Sequence, residues 1–421
     1  GRYYLMVVSE GQSPATASHI GTGTSSTTLT SHGTAEAPTD LGTVAAGADL
    51  VHGDSYGLGQ LKRFTFTVPS GVNALEVKLE DRVGDPWMSA LYSEGDAGFG
   101  NTYGYGYFSG RAGTRSDSII TLSNPAPGSV WRLVVMDPSP EGDSSTPLAA
   151  GSFTLRVSAV SELPLALDGG GDTVTAQSPG AWSFYRVEVP AQIGGEEVLG
   201  WELKVASWSG HRPTMVVRRD ALPTTAATSG NWGLPNPPRY PYKWGALWGS
   251  GDQWANTSFD WTGRIYSPDA SQYEESYGMW AAMGRPLEPG TYYVGFYNDS
   301  PGVPSTFTFT SKAIGAGMGH DPQPLAFTGG TATITNLPAR DVAYYYVDIP
   351  AGTPSWRISL GADSGESALY IHQDSIPTSQ ATGYSYDPPY EYYVTRLQKD
   401  GDEHYTLLPG ISGNSEPTLR E

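Results

Sequence analysis

Short runs of alternating hydrophobic and polar residues recur along this chain, and turn-forming residues end them. The run FTFTV at 64–68 is followed by Pro69, and runs with the same period of two occur at 75–79, 153–157 and 201–205. Side chains of a β-strand point alternately to opposite faces, so this period predicts strands with one buried face. Because long runs with the helical period are lacking, the pattern predicts an all-β protein.

Three segments begin alike, which indicates an internal repeat. They read LKRFTFTVPSG at 61–71, AWSFYRVEVPA at 181–191 and VAYYYVDIPAG at 342–352. Each is followed by an alternating strand and then by another strand-like run. We therefore expect three tandem antiparallel β-sandwich domains of the jelly-roll or immunoglobulin-like kind. The predicted boundaries are 43–160 for the first, 161–315 for the second with an insertion at 229–282, and 316–421 for the third, with a linker at 33–42.

The third repeat lacks the two strands that close the second one. The second repeat closes with GTYYVGFY at 290–297 and STFTFTS at 305–311, and similar segments are found instead at 1–8 (GRYYLMVV) and 25–31 (SSTTLTS). An incomplete sandwich exposes strand edges and an apolar groove, both of which are unfavourable in water. We therefore expect residues 1–32 to donate strands that complete a third-type unit.

Several arrangements would explain these ends. The segment could enter the third unit of the next copy and build a head-to-tail fibre, or it could fold back on its own third unit. Residues 1–421 could also be one period of a longer tandem polypeptide, or the two ends could be arbitrary cuts.

The proposed interface can be assigned to residues on both sides. The predicted strand donors are Tyr3, Tyr4, Leu5, Met6, Val7, Val8, Thr27, Thr28 and Leu29. The predicted acceptor residues are Tyr344, Tyr346, Val347, Ile349, Leu369, Ile371 and Leu419. Either the odd-numbered or the even-numbered residues of 3–8 would fill the core pockets, because only one face of a strand can do so.

Four short motifs in the chain resemble the bacterial pre-peptidase C-terminal domain, a small β-sandwich of secreted hydrolases and surface proteins. They are YYYVDIPAG at 344–352, SALYIHQDSIPT at 367–378, RRDALPTT at 218–225 and GTYYVGFYN at 290–298. The resemblance implies an extracellular or cell-surface protein of bacterial origin. It also implies a non-catalytic role in binding, spacing or secretion.

Composition removes several functional classes. With 24 Lys+Arg against 43 Asp+Glu, the formal net charge is −19, which would repel nucleic acid. The 421-residue chain has no cysteine, which excludes disulfides and thiolate nucleophiles, and no apolar run is long enough to span a bilayer. We therefore expect neither a nucleic-acid partner nor a membrane span.

Motifs for catalysis or metal binding are weak. Gly53-Asp54-Ser55-Tyr56-Gly57 fits the pattern G-x-S-x-G, but no helix is predicted after it, so we interpret it as a loop. The seven histidines form no H-E-x-x-H motif, and the chain is not expected to be an enzyme. No cofactor is predicted, although clustered carboxylates leave a structural calcium ion open. The weak calcium candidates are Asp81, Asp85, Asp363 and Glu366.

The insertion at 229–282 is rich in tryptophan. An exposed row of aromatic rings could stack on sugars, whereas a long loop could instead bury the same rings in a small core of its own. The residues of this candidate glycan surface are Trp232, Trp244, Trp248, Trp254 and Trp261.

Two functions follow from these patterns. We favour a structural subunit or repeat of an extracellular filament, assembled head to tail by β-strand complementation, with copies of itself as partners. The alternative is a non-catalytic array of carbohydrate- or surface-binding modules in a secreted bacterial protein, with surface glycans as partners.

Overall fold

The structure is a computed structural model, and only part of the chain is described in it. The described residues are 2–9, 23–31, 37–45, 47–57, 60–84, 86–92, 106–108, 118–136, 150–223, 253–256, 279–283, 287–298, 300, 302–338, 341–365, 367, 369–371, 376–377, 395–397 and 402–407. They belong to two compact units, Gly1–Pro38 and Thr39–Glu421. All regular structure in the described part is β-strand, and no helix there could span a membrane.

Nine described strands form two facing sheets between residues 39 and 160. They are β1 (Thr39–Thr43), β2 (Leu50–Tyr56), β3 (Leu61–Thr67), β4 (Ala74–Val83), β5 (Trp87–Tyr92), β6 (Gly106–Phe108), β7 (Ser118–Ser123), β8 (Val130–Met136) and β9 (Gly151–Val160). The sheet orders are β1-β3-β8-β5-β6 and β2-β9-β4-β7. Phe64, Leu79, Leu133 and Leu155 belong to one buried core contributed by both sheets. We call this layered pair the first sandwich.

The next segment repeats this arrangement with its own core and is called the second sandwich. Its strands are β10 (Leu163–Pro164), β11 (Gly170–Gln177), β12 (Trp182–Val189), β13 (Gln192–Ile193), β14 (Glu196–Glu197), β15 (Gly200–Gly210), β16 (Thr214–Arg219), β17 (Gln253–Asn256), β18 (Met279–Met283), β19 (Gly290–Tyr297) and β20 (Ser305–Ile314). The main sheets are β10-β12-β19-β16-β17 and β11-β20-β15-β18. Trp201, Tyr292, Phe296 and Phe309 lie in its core.

The closing strands occupy interior positions in both sandwiches. β8 lies between β3 and β5, and β19 lies in the same way between β12 and β16. In the opposite sheets, β9 lies between β2 and β4, and β20 lies between β11 and β15. Each sheet would therefore separate into two parts without its closing strand.

The strands differ from the predicted fold in three respects. Residues 53–56 of the G-x-S-x-G motif, which were interpreted as a loop, belong to β2 and pair with β9. β1 begins at Thr39, so the predicted linker 33–42 already contains the first strand. The pairs β1–β3 and β10–β12 are parallel, so their sheets are mixed and not purely antiparallel. The chain passes through β2 in the opposite sheet before it returns as β3, and β1 and β3 consequently run in the same direction.

The two sandwiches contact each other through a small apolar cluster. Ala74 of the first sandwich packs with Phe184 and Leu222 of the second. The Asn124 side chain donates a hydrogen bond to the Leu222 carbonyl and accepts one from the Leu222 N–H, both at 2.9 Å. This contact is called the first joint.

Candidate assembly site

The C-terminal region, residues 316–407, contains only two-stranded sheets among its described residues. The strands are β21 (Gln323–Pro324), β22 (Tyr345–Tyr346), β23 (Trp356–Leu360), β24 (Leu369–Ile371), β25 (Thr395–Leu397) and β26 (Glu403–Leu407). They pair as β21-β22, β23-β26 and β24-β25. Each of the two sandwiches, by contrast, has one sheet of five strands and one of four.

The β21–β22 pair has the same geometry as β10–β12 in the second sandwich. Leu163 pairs with Tyr185 in parallel, and Gln323 pairs with Tyr345 in parallel. Each residue of the second pair follows its counterpart in the first pair by 160 positions. The two stretches therefore correspond residue by residue.

Backbone conformation supports the same offset. Gly169 and Gly329, which are 160 residues apart in the chain, have φ angles of 70° and 69°. Ala176 and Asn336, again 160 apart, have φ angles of 50° and 56°. Non-glycine residues rarely adopt this left-handed conformation, so its recurrence at corresponding positions indicates the same local fold.

The remaining pairs correspond to strands that flank β19 and β20. β22 corresponds to β12, and β24 corresponds to β16. The antiparallel pair β23–β26 corresponds to β15 with β18, because the sequences WELKV at 201–205 and WRISL at 356–360 match. β12 and β16 both pair with β19, but in the described part of the C-terminal region no strand joins β22 to β24. β23 likewise has no described partner on the edge where β15 binds β20.

Side chains that face these open positions are less buried than their counterparts. Tyr185 is 3% exposed, whereas Tyr345 is 39% exposed. Trp201 is completely buried, whereas Trp356 is only half-buried. The described part of the C-terminal region thus has strands that correspond to the flanking strands of a sandwich, without a closed core among them.

The acceptor residues predicted from sequence fall on both faces of their strands. Val347 and Ile349 correspond to the buried Val187 and Val189. Both are half-buried and share a face of the strand with Tyr345, which was not among the predicted acceptor residues. Tyr344 and Tyr346 lie on the other face, because side chains alternate along a strand. Leu369 and Ile371 are half-buried in β24, and Leu419 lies outside the described residues.

The N-terminal segment, described at 2–9 and 23–31, has exposed apolar side chains. Tyr3, Tyr4, Leu5, Met6, Val7 and Val8 are between 58% and 89% exposed, and Leu29 is 62% exposed. Thr27 and Thr28 are exposed as well. No strand is found in these two described stretches, where strands were predicted. A consecutive run of exposed apolar residues is unusual unless it meets another surface.

A second contact repeats the first joint. Ile314, at the end of β20, packs with Tyr344, Val342 and Ile376. Tyr344 corresponds to Phe184 by the offset of 160, and Ile376 corresponds to Leu222 in the matching runs DALPTT and DSIPTS. We call this contact the second joint.

A buried charged cluster lies beside the second joint. His320 Nε2 is 2.9 Å from Glu202 Oε1, and Lys204 Nζ is 3.4 Å from Asp341 Oδ1. Ligand atoms of Glu202, His320 and Asp341 lie within 4.8 Å of one another, a spacing that a metal ion can bridge. The same four side chains also form two close pairs, Glu202 with His320 and Asp341 with Lys204, so their arrangement has an explanation without a metal ion.

The loop that carries His320 is fixed by Asp168. One Asp168 carboxylate oxygen, Oδ1, accepts hydrogen bonds from the N–H groups of Ala313 and Gly319, both at 3.0 Å. Sequence reasoning missed this cluster because Glu202 and His320 are far apart in the chain and share no motif.

Few of the calcium and glycan candidates lie among the described residues. Asp81 accepts a hydrogen bond from Thr154 at 3.1 Å, and Asp363 is exposed. Asp85 and Glu366 lie outside the described residues. The same holds for Trp232, Trp244, Trp248 and Trp261, while Trp254 is described only as a backbone partner of Val217 in β17.

No family model and no curated protein matches this chain. Among solved structures, the CUB1-EGF-CUB2 segment of human MASP-1/3 is similar over 63% of this chain and 99% of its own length. The sequence identity is 9% and the TM-score is 0.16, a score that supports no inference about fold or function.

Proposed function

We propose that this chain is a structural subunit or repeat of an extracellular filament, joined head to tail by β-strand complementation. In this proposal the C-terminal region is a third tandem β-sandwich. Residues 3–8 and 27–31 of a second copy supply its two central strands. The observation that carries the proposal is the division of this region into the strand pairs that flank β19 and β20 in the second sandwich. The extracellular location rests on the sequence resemblance alone.

The first donor strand has a defined register. Aligning GRYYLMVV with GTYYVGFY places Tyr3, Leu5 and Val7 at the positions of Tyr292, Val294 and Phe296, all of which are fully buried. Tyr185 and Val217 are the two cross-strand partners of Val294. Leu5 would therefore lie between Tyr345 and Ile371, which correspond to these partners. The odd-numbered residues fill the sandwich core in this register.

A matched size exchange supports the same register. A Cβ atom on Gly295 would lie 2.6 Å from the Trp182 ring, so only glycine fits beside that tryptophan. Met6 corresponds to Gly295, and Val342 corresponds to Trp182. Gly295 beside Trp182 would thus be replaced by the larger Met6 beside the smaller Val342. The total volume of the two side chains stays similar.

Complementation would remove apolar surface from water on both sides. Full burial of a Val, Leu or aromatic side chain contributes about 1.5–3 kcal/mol, and Tyr3, Leu5 and Val7 each begin largely exposed. The new main-chain ladders would add hydrogen bonds on both edges of the strand. Release would require opening of the acceptor core, so the joint would be kinetically stable without a disulfide. The same joint serves separate subunits and successive repeats of one polypeptide.

The test uses the 421-residue chain, a variant that lacks residues 1–31, and a synthetic peptide of residues 1–31. We expect the full chain to form linear polymers in electron micrographs and sedimentation velocity. The shortened variant should remain monomeric and bind the peptide with 1:1 stoichiometry. The peptide should also cap growing polymers of the full chain.

The shortened variant retains both sandwich cores, which begin at Thr39, so its circular dichroism spectrum checks that it folds. A full chain that stays monomeric at high concentration would reject the filament. Polymers formed equally well by the shortened variant would reject strand donation.

A further inference from the structure

The second sandwich contains a buried chain of hydrogen bonds that links β15, β20 and the segment between β10 and β11. The Trp201 indole N–H donates to Ser311 Oγ at 2.9 Å, and this hydroxyl donates to the Leu167 carbonyl at 2.7 Å. Trp201 and Ser311 are completely buried. A buried indole N–H without a partner would be unfavourable, so the serine is needed at that point of β20.

Two of the three members recur in the C-terminal region. Trp356 takes the position of Trp201 at the start of β23, and Phe327 follows Leu167 by the offset of 160. The third member is not available from β20, which belongs to the second sandwich. In the aligned segments STFTFTS and SSTTLTS, Ser311 corresponds to Ser31.

We propose that Ser31 of a second copy completes this hydrogen-bond chain with Trp356 and Phe327 and thereby sets the register of the second donor strand. The inference rests on the function proposed above. Ser31 accepts a hydrogen bond from the Trp356 indole and donates one to the Phe327 carbonyl. The same register places Thr27 and Leu29 at the fully buried positions of Phe307 and Phe309.

This chain of hydrogen bonds would also determine which sandwich can accept the second donor strand. In the first sandwich, Leu75 occupies the position of Trp201, and Val157 occupies the position of Ser311, so that core is apolar there. A strand with valine at this point would leave the Trp356 N–H unpaired, and a serine strand would leave its hydroxyl unpaired in the first sandwich. Residues 27–31 are therefore matched to the third-type unit.

A one-residue slip would be strongly disfavoured. It would turn Thr28 and Thr30 into the core and turn Leu29 to solvent, because successive side chains face opposite sides. It would also move Ser31 away from the indole. Apolar packing and the hydrogen bond thus specify the same register.

Engineered cysteines test the register, since the chain has none of its own. In the second sandwich, Thr310 lies opposite Lys204, and the corresponding pair is Thr30 and Ser359. Mixing a Thr30→Cys chain with a Ser359→Cys chain should give a disulfide-linked heterodimer in high yield under mild oxidation. The matched mixture of Thr28→Cys with Ser359→Cys, displaced by two residues, should give little.

The hydrogen bond is tested by the dissociation rate of the polymer. Ser31→Val should speed dissociation by about 5- to 100-fold, because it leaves a buried N–H unpaired. Thr30→Val, with its hydroxyl on the outer face, should change the rate less than about twofold. In a Trp356→Phe background, which has no indole N–H, the effect of Ser31→Val should be clearly smaller, because only the hydrogen bond to the Phe327 carbonyl is then lost.

The outcomes separate this inference from the proposed function. If polymers form but Thr28→Cys links as well as Thr30→Cys, or Ser31→Val acts equally with and without Trp356, the register is wrong and the filament stands. A disulfide found only within a chain that carries both Thr30→Cys and Ser359→Cys would keep the register but reject the head-to-tail filament. Absence of any association would overturn both proposals.

Discussion

Tyr185 and Tyr345 occupy corresponding positions in two parallel strand pairs, yet Tyr185 is 3% exposed and Tyr345 is 39% exposed. Tyr185 packs edge-on against Phe309 of β20 at 4.8 Å between ring centroids and donates a hydrogen bond to Asp172. Ala332 corresponds to Asp172, so Tyr345 has no matching carboxylate, and no described strand of the C-terminal region takes the place of β20 beside it. The difference marks the side of β22 on which the described residues provide no second layer.

The two tyrosines should respond differently to the same substitution. Tyr185→Ala removes a core ring and should lower the free energy of unfolding by about 3–5 kcal/mol. Tyr345→Ala should lower it by less than about 1 kcal/mol in the single chain, because the ring is already partly in water. Tyr345→Ala should instead weaken polymer formation. Urea unfolding and sedimentation measure the two effects, and equal destabilisation by both substitutions would contradict the open-core interpretation.

Neighbouring residues of the second donor strand offer a matched pair of charge substitutions. Leu29→Asp should abolish polymer formation, because the carboxylate would be buried at the position of Phe309. Thr28→Asp, on the outer face, should reduce assembly only slightly. Both positions are exposed in the single chain, so its thermal unfolding should be unchanged. Assembly of the Leu29→Asp variant at the normal rate would place this strand outside the acceptor core.

Asn124 should stabilise the first joint through its side chain. Asn124→Ala removes both hydrogen bonds to Leu222 and should lower the free energy of unfolding by about 1–3 kcal/mol. Because Asn124 has a φ of 54°, Asn124→Gly is the control that keeps the backbone and removes the amide. The two variants should be similarly destabilised in urea unfolding. A loss confined to the alanine variant would assign the effect to backbone conformation.

The second joint should weaken in alkaline solution. Burial raises the pKa of Tyr344 above its ordinary value of 10.0, and the charges of Glu202 and Asp341 add to the increase. Unfolded Tyr344 ionises near pH 10 while the folded residue stays neutral, so its contribution to stability is intact below pH 10 and falls at higher pH. The difference in unfolding free energy between wild type and Tyr344→Phe should therefore shift in favour of the variant between pH 9 and pH 11.

The same substitution is informative at neutral pH. The Tyr344 hydroxyl is buried and has no hydrogen-bond partner among the described residues. Tyr344→Phe removes this polar atom and should be neutral or stabilising by about 1 kcal/mol. Tyr185→Phe, which loses the bond to Asp172, should be destabilising and serves as the comparison. A clearly destabilised Tyr344→Phe chain would show that the hydroxyl is satisfied in solution.

Alternating sequence patterns located the main strands well. FTFTV at 64–68 falls in β3 except for Val68, and the run at 201–205 falls in β15; the apolar members of both runs are buried. β1 and β10 were harder to predict, because Thr39–Thr43 and Leu163–Pro164 are short and lack alternation. Their place is decided by pairing with a distant parallel strand.

The candidate site also has residues that the sequence pattern can place and residues that it cannot. The repeat predicts Val347 and Ile349 as acceptor residues together with Tyr344 and Tyr346, and the structure places the two pairs on opposite faces of the strand. Three consecutive tyrosines carry no alternation from which a face could be chosen. The Glu202–His320 pair was invisible for a different reason, since its two residues meet only through packing of the loop held by Asp168.

The interior position of β19, with ladders to both β12 and β16, has a mechanical consequence for any joint built in the same way. Tension along the donated strand would act parallel to its backbone, so the cross-strand bonds on both edges would share the load and fail together. We therefore expect such joints to withstand a higher force than a hairpin whose hydrogen bonds break one at a time. When one joint ruptures, the filament should lengthen in a single step.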